Sequence, residues 1–358
     1  MKKILAMLLA LVMVLSLAAC GGTEADPTEA PAVETAAITK VALVTDVGTI
    51  DDESFNQACW EGVEEWCNAN NVEYTYYQPT EDSTDARVLS VAQAISEGYN
   101  TIVMPGYLFG ATLTMVMEEY PETYFIAVDV AAGDLTVDYT TYYEPAANTA
   151  CLTFSEEQAG YLAGYAAVKE GYTKLGFLGG MAVPAVIRYG YGFIQGADAA
   201  AAEMGVDIEI NYTYGGQFFG DANITAKMEG WYAAGTEVVF ACGGGIYTSA
   251  LEAAEKNNGK VIGVDVDQYY VNDCIITSAM KRVDTAAQDI SKAVADGSYE
   301  PGVHLYDLSN GGVDLSPTRD LIPADVLEMV ENAKAKVMAG EIVVPTTAAE
   351  CPTFTLAA

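Results

Sequence analysis

Residues 40–70 read KVALVTDVGTIDDESFNQACWEGVEEWCNAN. The run from Lys40 to Thr45 is apolar almost throughout and stops at Asp46-Val47-Gly48. Such continuous hydrophobicity over a few residues is the pattern of a strand buried on both faces. From Ser54 to Asn70 the period changes, and Phe55, Ala58, Cys59, Gly62, Val63 and Trp66 recur at helical spacing. A buried strand, a polar loop and an amphipathic helix are the opening of a βαβ unit, whose strands pair in parallel.

Working outward, the same alternation continues. Residues 72–77 alternate like a strand. Residues 82–97 place Val88, Val91, Ala92 and Ile95 on one helical face, and 101–104 form a strand ending at Pro105-Gly106. A helix over 108–119 leads to a strand over 124–128 that ends at Asp129. The pattern then restarts, with helices expected over 156–170, 186–204, 221–234 and 247–257. Between them lie strands over 174–180, 208–214, 238–242 and 260–264. The third of these strands runs into Gly243-Gly244-Gly245, and the last ends at Asp265. The reading is therefore α/β: two doubly wound parallel-sheet lobes in tandem, joined by a hinge and enclosing a cleft at the carboxyl ends of their strands. Residues 40–150 with about 277–302 are expected to build the first lobe. Residues 151–276 with about 303–358 are expected to build the second.

The chain begins with Lys2 and Lys3, an apolar run over 4–17 interrupted at Ser16, and Leu17-Ala18-Ala19-Cys20 followed by Gly21-Gly22. A charged start, an apolar run too short to span a bilayer and small residues at its end mark a secretory signal. The end of that run resembles the bacterial lipobox, which implies that residues 1–19 are removed and that Cys20 carries diacylglycerol. Residues 20–39, rich in Ala, Thr, Pro and Glu and without an aromatic residue, read as a flexible tether. No later stretch is apolar for 18 residues, so nothing else is expected to span a membrane.

Sixteen basic against 50 acidic residues give a formal charge of −34, and loss of Lys2 and Lys3 with a leader takes it to −36. That balance repels nucleic acid and anionic lipid head groups and disfavours a polyanionic ligand. Apart from Cys20, six cysteines remain, with no CxxC pair. Cys59 and Cys67 sit eight residues apart on one helix, about 12 Å along its axis, which is too far for a mutual disulfide. With a single histidine, His304, a zinc cluster is not expected, and the cysteines read as buried thiols.

The loop over 46–57 carries the most chemistry. It closes a strand and opens a helix, so its carboxylates and amides face the cleft. Asp51 and Asp52 also suit a helix cap, but a cap does not explain Phe55-Asn56 beside Asp46. The run DDESFNQACWEG resembles the DDxSFNQ signature of the basic membrane lipoproteins, the nucleoside-binding proteins of ABC importers. The resemblance continues in order through YPETYFIAVD, GGMAVPAVIRYGYGF, YGGQFFGD, VIGVDVDQ and TSAMKRVD. It implies a fold like that of type I periplasmic binding proteins, a nucleoside ligand, no cofactor or metal, a monomer, and a permease and ATPase complex as partner. It further implies that Asp46 and Asn56 take polar atoms of the ligand, that Phe55 stacks on the base and that Asp129 accepts from a purine edge. Phe218 or Phe219 would cover the opposite base face; this chain has one extra residue there. Gly244 or Gly245 would let backbone approach the sugar, and Asp265 and Lys281 would hold ribose hydroxyls.

Three other functions are weighed. Residues 44–52, VTDVGTIDD, approach the calcium-holding strand end of nucleoside hydrolases. Val44 replaces its first Asp, one extra residue precedes the Asp pair, and no histidine stands as general acid. Calcium needs six to eight oxygens, so a missing carboxylate matters. The same two-lobe scaffold can instead bind a sugar or another small signal, since aromatic rings also stack on sugars. A sensor that reports ligand to a membrane partner is the third. The run Tyr189, Tyr191 and Phe193 reads as packing, and His304 as structural.

Overall fold

The computed structural model describes residues 38–46, 48–316 and 322–347. The leader, Cys20, most of the tether and Cys351 lie outside them. The first sheet contains β1 (Lys40–Val44), β2 (Glu73–Tyr77), β3 (Thr101–Pro105), β4 (Tyr124–Val128), β5 (Thr149–Phe154) and β11 (Gly302–Tyr306), in the order β11-β5-β4-β3-β1-β2. All its pairings are parallel. The second contains β6 (Lys174–Gly179), β7 (Glu209–Tyr214), β8 (Val238–Cys242), β9 (Lys260–Asp265), β10 (Ile275–Lys281) and β12 (Val313–Leu315), in the order β12-β10-β9-β8-β6-β7. There only β12 runs antiparallel, along β10. The two orders match strand for strand, so β4 and β9 occupy equivalent places.

Helices α1 (Phe55–Asn70), α2 (Thr84–Ser96) and α3 (Phe109–Val116) connect strands of the first sheet. Helices α5 (Pro184–Met204), α6 (Ala222–Ala233) and α7 (Tyr247–Asn257) do the same in the second. The central strands β3, β4 and β8 are buried along their whole length, as their continuous apolar runs require. Proline at the first turn and Gly205 in the left-handed conformation just past the end bound α5. Asp221 caps α6 by accepting from the backbone N–H groups of Asn223 and Ile224, each at 2.8 Å.

Helix α4 (Glu156–Lys169) follows β5 but packs against α5 and β10 of the second half, whereas α8 (Val283–Asp296) follows β10 but packs against α1 and β4 of the first. Both crossings use glycine for close approach. A Cβ on Gly164 would lie 2.0 Å from the Phe193 carbonyl oxygen, and one on Gly62 would lie 2.7 Å from Asp284 Cα. The chain thus passes between the halves at Ser155, at Arg282 and over residues 307–312, and these segments lie side by side. The Ser155 N–H donates to the Tyr306 carbonyl at 2.9 Å, and the Arg282 N–H to that of Gly312 at 2.8 Å. Helix α9 (Ala324–Met338) closes against α4.

Three expectations need correcting. Thr149–Phe154 is a strand of the first sheet, although residue 151 is expected to open the second lobe; a single residue, Ser155, separates it from the next helix. Residues 277–281 belong to β10 and pair with β9 in the second sheet, not the first. Residues 303–306 pair with β5 in the first sheet, not the second. In each case a strand of one half is followed directly by an element of the other, and hydrophobic period carries no mark of which sheet a strand joins.

Candidate functional site

The carboxyl ends of both sheets face one cavity of about 810 Å³. All ten residues assigned to a ligand line it: Asp46, Phe55, Asn56, Asp129, Phe218, Phe219, Gly244, Gly245, Asp265 and Lys281. They come from sequence positions 235 apart at the extremes because each ends or follows a strand whose carboxyl end points the same way.

Asp46 follows β1. Its side chain lies against Gly106, where a Cβ would come within 2.6 Å of the carboxylate, and Gly106 has a φ of +121° that suits glycine. The Gly48 N–H donates to Asp46 Oδ1 at 2.9 Å. Asp52 carries out the capping expected of it. Its carboxylate accepts from the backbone N–H of Ser54 (3.0 Å), Asn56 (3.2 Å) and Gln57 (3.1 Å), and from the Asn56 side-chain amide at 3.2 Å. Because Asp52 caps α1, the hydroxyl of the N-cap residue Ser54 is released for another task. It donates across the cleft to Asp265 Oδ2 at 2.6 Å. Asn56 is buried, and among the described residues its Oδ1 has no hydrogen-bond partner.

Asp129 and Asp265 end equivalent strands, and both adopt the left-handed conformation, at φ 63° and 65°. Among non-glycine residues, Asp and Asn tolerate that region best. Lys281, at the end of β10, is 2 % exposed and forms ion pairs with Asp129 and with Glu156 Oε1, the latter at 2.9 Å. Its ammonium lies 5.1 Å from the Phe55 ring centre and 5.0 Å from that of Phe154. Arg188 Nε donates to the other oxygen of Glu156 at 2.6 Å.

Burial pushes the Asp265 carboxyl up to about 7, with Lys281 opposing the shift. Burial also pushes Asp129 up to about 6, again against Lys281. Glu156 is equally buried, but Lys281 and Arg188 outweigh that and hold it below the ordinary carboxylate range. Lys281 stands above its ordinary value: burial acts to lower it, and Asp129, Glu156 and Asp265 more than compensate. Asp129 keeps one oxygen, Oδ1, buried without a partner among the described residues.

The two candidate aromatics of the second half differ in setting. Phe218 is half-buried and packs its ring on the backbone of Gly180 and Gly243, where a Cβ would lie 2.5 Å and 3.1 Å from it. Phe219 is 62 % exposed and pairs its backbone with Gly245. A Cβ on Gly244 would meet the Phe218 carbonyl at 3.0 Å, so glycine here first makes room for Phe218.

Several residues in or beside the cavity escaped sequence reasoning; of those that follow, Arg188 and Tyr189 line it. Glu156 and Arg188 stand in stretches read as ordinary helix. The one available signal was a cation at the start of a helix in a chain with few of them. Tyr189, read as packing, is buried and also reaches the cavity. Gln268 is fully buried, and its side-chain amide donates to the Glu53 carbonyl across the cleft at 2.7 Å, while the Tyr270 hydroxyl donates to the Glu53 carboxylate. Cys59, Cys67, Cys151 and Cys242 are buried free thiols, and Cys274 is a half-buried one. The His304 ring bonds the Glu300 carbonyl at 2.9 Å. Among the described residues, no helix is long and apolar enough to cross a membrane.

A family profile described as "ABC transporter substrate-binding protein PnrA-like" matches residues 38–348. The "ABC transporter nucleoside-binding protein BmpA" of Lactococcus lactis subsp. cremoris is 31% identical over 331 residues, 86% of this chain and 89% of that protein. An uncharacterized lipoprotein of Pyrococcus abyssi is 26% identical over 360 residues, 92% of this chain and 84% of that one. Among solved structures, a solute-binding protein of an ABC transporter system from Aeropyrum pernix superposes with a TM-score of 0.76 at 24% identity. It covers 87% of this chain and 95% of that one, which establishes the type I binding-protein fold.

Proposed function

The chain belongs to the PnrA-like family of ABC transporter substrate-binding proteins, and from that premise we propose that it captures a nucleoside, preferentially a purine nucleoside, and delivers it to a permease. One observation carries this reading. Two carboxylates and a lysine (Asp129, Asp265 and Lys281) converge in a single cavity with two aromatic rings, those of Phe55 and Phe218. A ribose diol needs acceptors and a donor. A flat base suits two ring faces, each stack contributing about 1–3 kcal/mol in nucleic-acid systems.

We assign Asp129, which pairs with Lys281, to sugar hydroxyls rather than to the base edge. Asp46 and the free Oδ1 of Asn56 then serve as acceptors for base N–H groups. The surplus of carboxylate around the cavity disfavours phosphate, and so a nucleotide. Ligand held by one half recruits the groups of the other, with motion at the three crossing segments. Lipid attachment at Cys20 would keep the cleft beside the membrane.

Calorimetric titration tests the reading directly. Adenosine and guanosine should bind, with ribose and the free bases each at least tenfold weaker. Phe55→Ala should weaken nucleoside binding more than tenfold. A chain that bound ribose or another sugar as tightly as any nucleoside would be a sugar receptor instead.

A further inference from the structure

At the inner end of the cleft four charges form a chain: Arg188, Glu156, Lys281 and Asp129. Glu156, fully buried, stands at its centre with one oxygen on each cation. Its position is set by the fold. It is the first residue of α4, immediately after the crossing at Ser155, while Lys281 is the last residue of β10, immediately before the crossing at Arg282. The cluster balances two cations against two anions, and it leaves two groups unspent. Asp129 Oδ1 is buried without a partner among the described residues. Among the described residues, the bond from Nε to Glu156 is the one side-chain hydrogen bond of Arg188, so its Nη donors are open; Arg188 and Asp129 both line the cavity.

A carboxylate placed between two cations keeps both from collapsing onto the remaining anion. Without its charge, Asp129 would be the carboxylate left in an ion pair with Lys281, Arg188 would lose the carboxylate it bonds, and a buried cation short of partners is costly. Both would be drawn to Asp129, and its free oxygen would be consumed. We propose that Glu156 is a positioning residue for recognition: by holding Lys281 and Arg188, it keeps Asp129 Oδ1 and the Arg188 donors available to ligand hydroxyls, and so sets the preference for ribosides over deoxyribosides. The assignment rests on the nucleoside reading and deepens it. A site built to bond a hydroxyl rejects the analogue lacking it, because its buried polar groups are then left unpaired.

The test is Glu156→Gln in the full chain, titrated with adenosine, 2′-deoxyadenosine and adenine. Adenosine affinity should fall at least tenfold, and the riboside to deoxyriboside ratio should collapse toward one. Adenine, which engages the aromatic rings, should bind as before. Should Glu156→Gln fail to fold, Arg188→Gln, at a partly exposed position, should likewise narrow the ratio and spare adenine. Parallel weakening of adenosine and adenine, or an unchanged ratio, would overturn this assignment while leaving the nucleoside reading intact. Absence of nucleoside binding by the unmodified chain would overturn that reading, and this assignment with it.

Discussion

Asp265 concentrates the electrostatic cost of the site in one side chain. Its carboxyl is shifted up to about 7 by burial, whereas in the unfolded chain it titrates near the ordinary value of about 4. Between those values the folded state holds a proton that the unfolded state has released, so stability falls as pH rises from about 4 to 7. The contribution is fully present below the unfolded value and lost above the folded one; Asp129, pushed up to about 6, acts in the same direction. Asp265→Asn, which keeps a residue suited to a positive φ, should therefore gain thermal stability over the wild type at pH 8 and little at pH 4. Melting curves across that range check it; a constant gap would remove the buried carboxylate as its source. For a ligand whose hydroxyls donate to the carboxylate form, the sign is opposite. Nucleoside affinity of the wild type should rise with pH between 6 and 8, by at most tenfold per unit, and the slope should flatten in Asp265→Asn. At this scale the candidate residues were legible because Asp46, Asp129, Asp265 and Lys281 all end strands. Ser54 and Gln268 were not, because their partners lie 211 and 215 residues away and no local pattern announces them.

The elements themselves were legible where period was strong. Helix α1 and strands β1, β3, β4 and β8 stand where their apolar spacing puts them, within a residue or two at the ends. Strand β5 was not, since a single residue, Ser155, separates TACLTF from the acidic start of α4. Glycine within helices shows why packing is harder to read than period. In an exposed helix, replacing Gly with Ala stabilises by about 0.5–1 kcal/mol. Gly230 in α6 has open space where its Cβ would stand, so Gly230→Ala should raise the melting temperature. Gly164 in α4 meets the backbone of α5, so Gly164→Ala should reverse the sign and cost about 1–3 kcal/mol, as overpacked cores do. Chemical denaturation of the two variants side by side measures both; equal signs would refute the close crossing of α4 and α5.

For the molecule as a whole, polar contacts join the halves across the cleft, among them those of Gln268 and Tyr270 with Glu53. Gln268→Ala should populate a more open form without ligand, seen as a larger radius of gyration in small-angle scattering that nucleoside largely restores. An unchanged radius would mean that these contacts do not hold the halves together. The two-sheet architecture was evident in the sequence, yet the exchange of β10 and β11 between halves was not, because parallel strands of either sheet look alike. That exchange governs the timetable of synthesis. The first sheet begins at residue 40 but lacks its outermost strand until residues 302–306 have been made, and the second waits for residues 313–315. Neither half can mature while most of the polypeptide is still being elongated, so the emerging chain stays unfinished for nearly its full length. If the leader acts as its sequence implies, such a delay favours passage through a narrow translocation pore, which admits an extended polypeptide and excludes a finished domain.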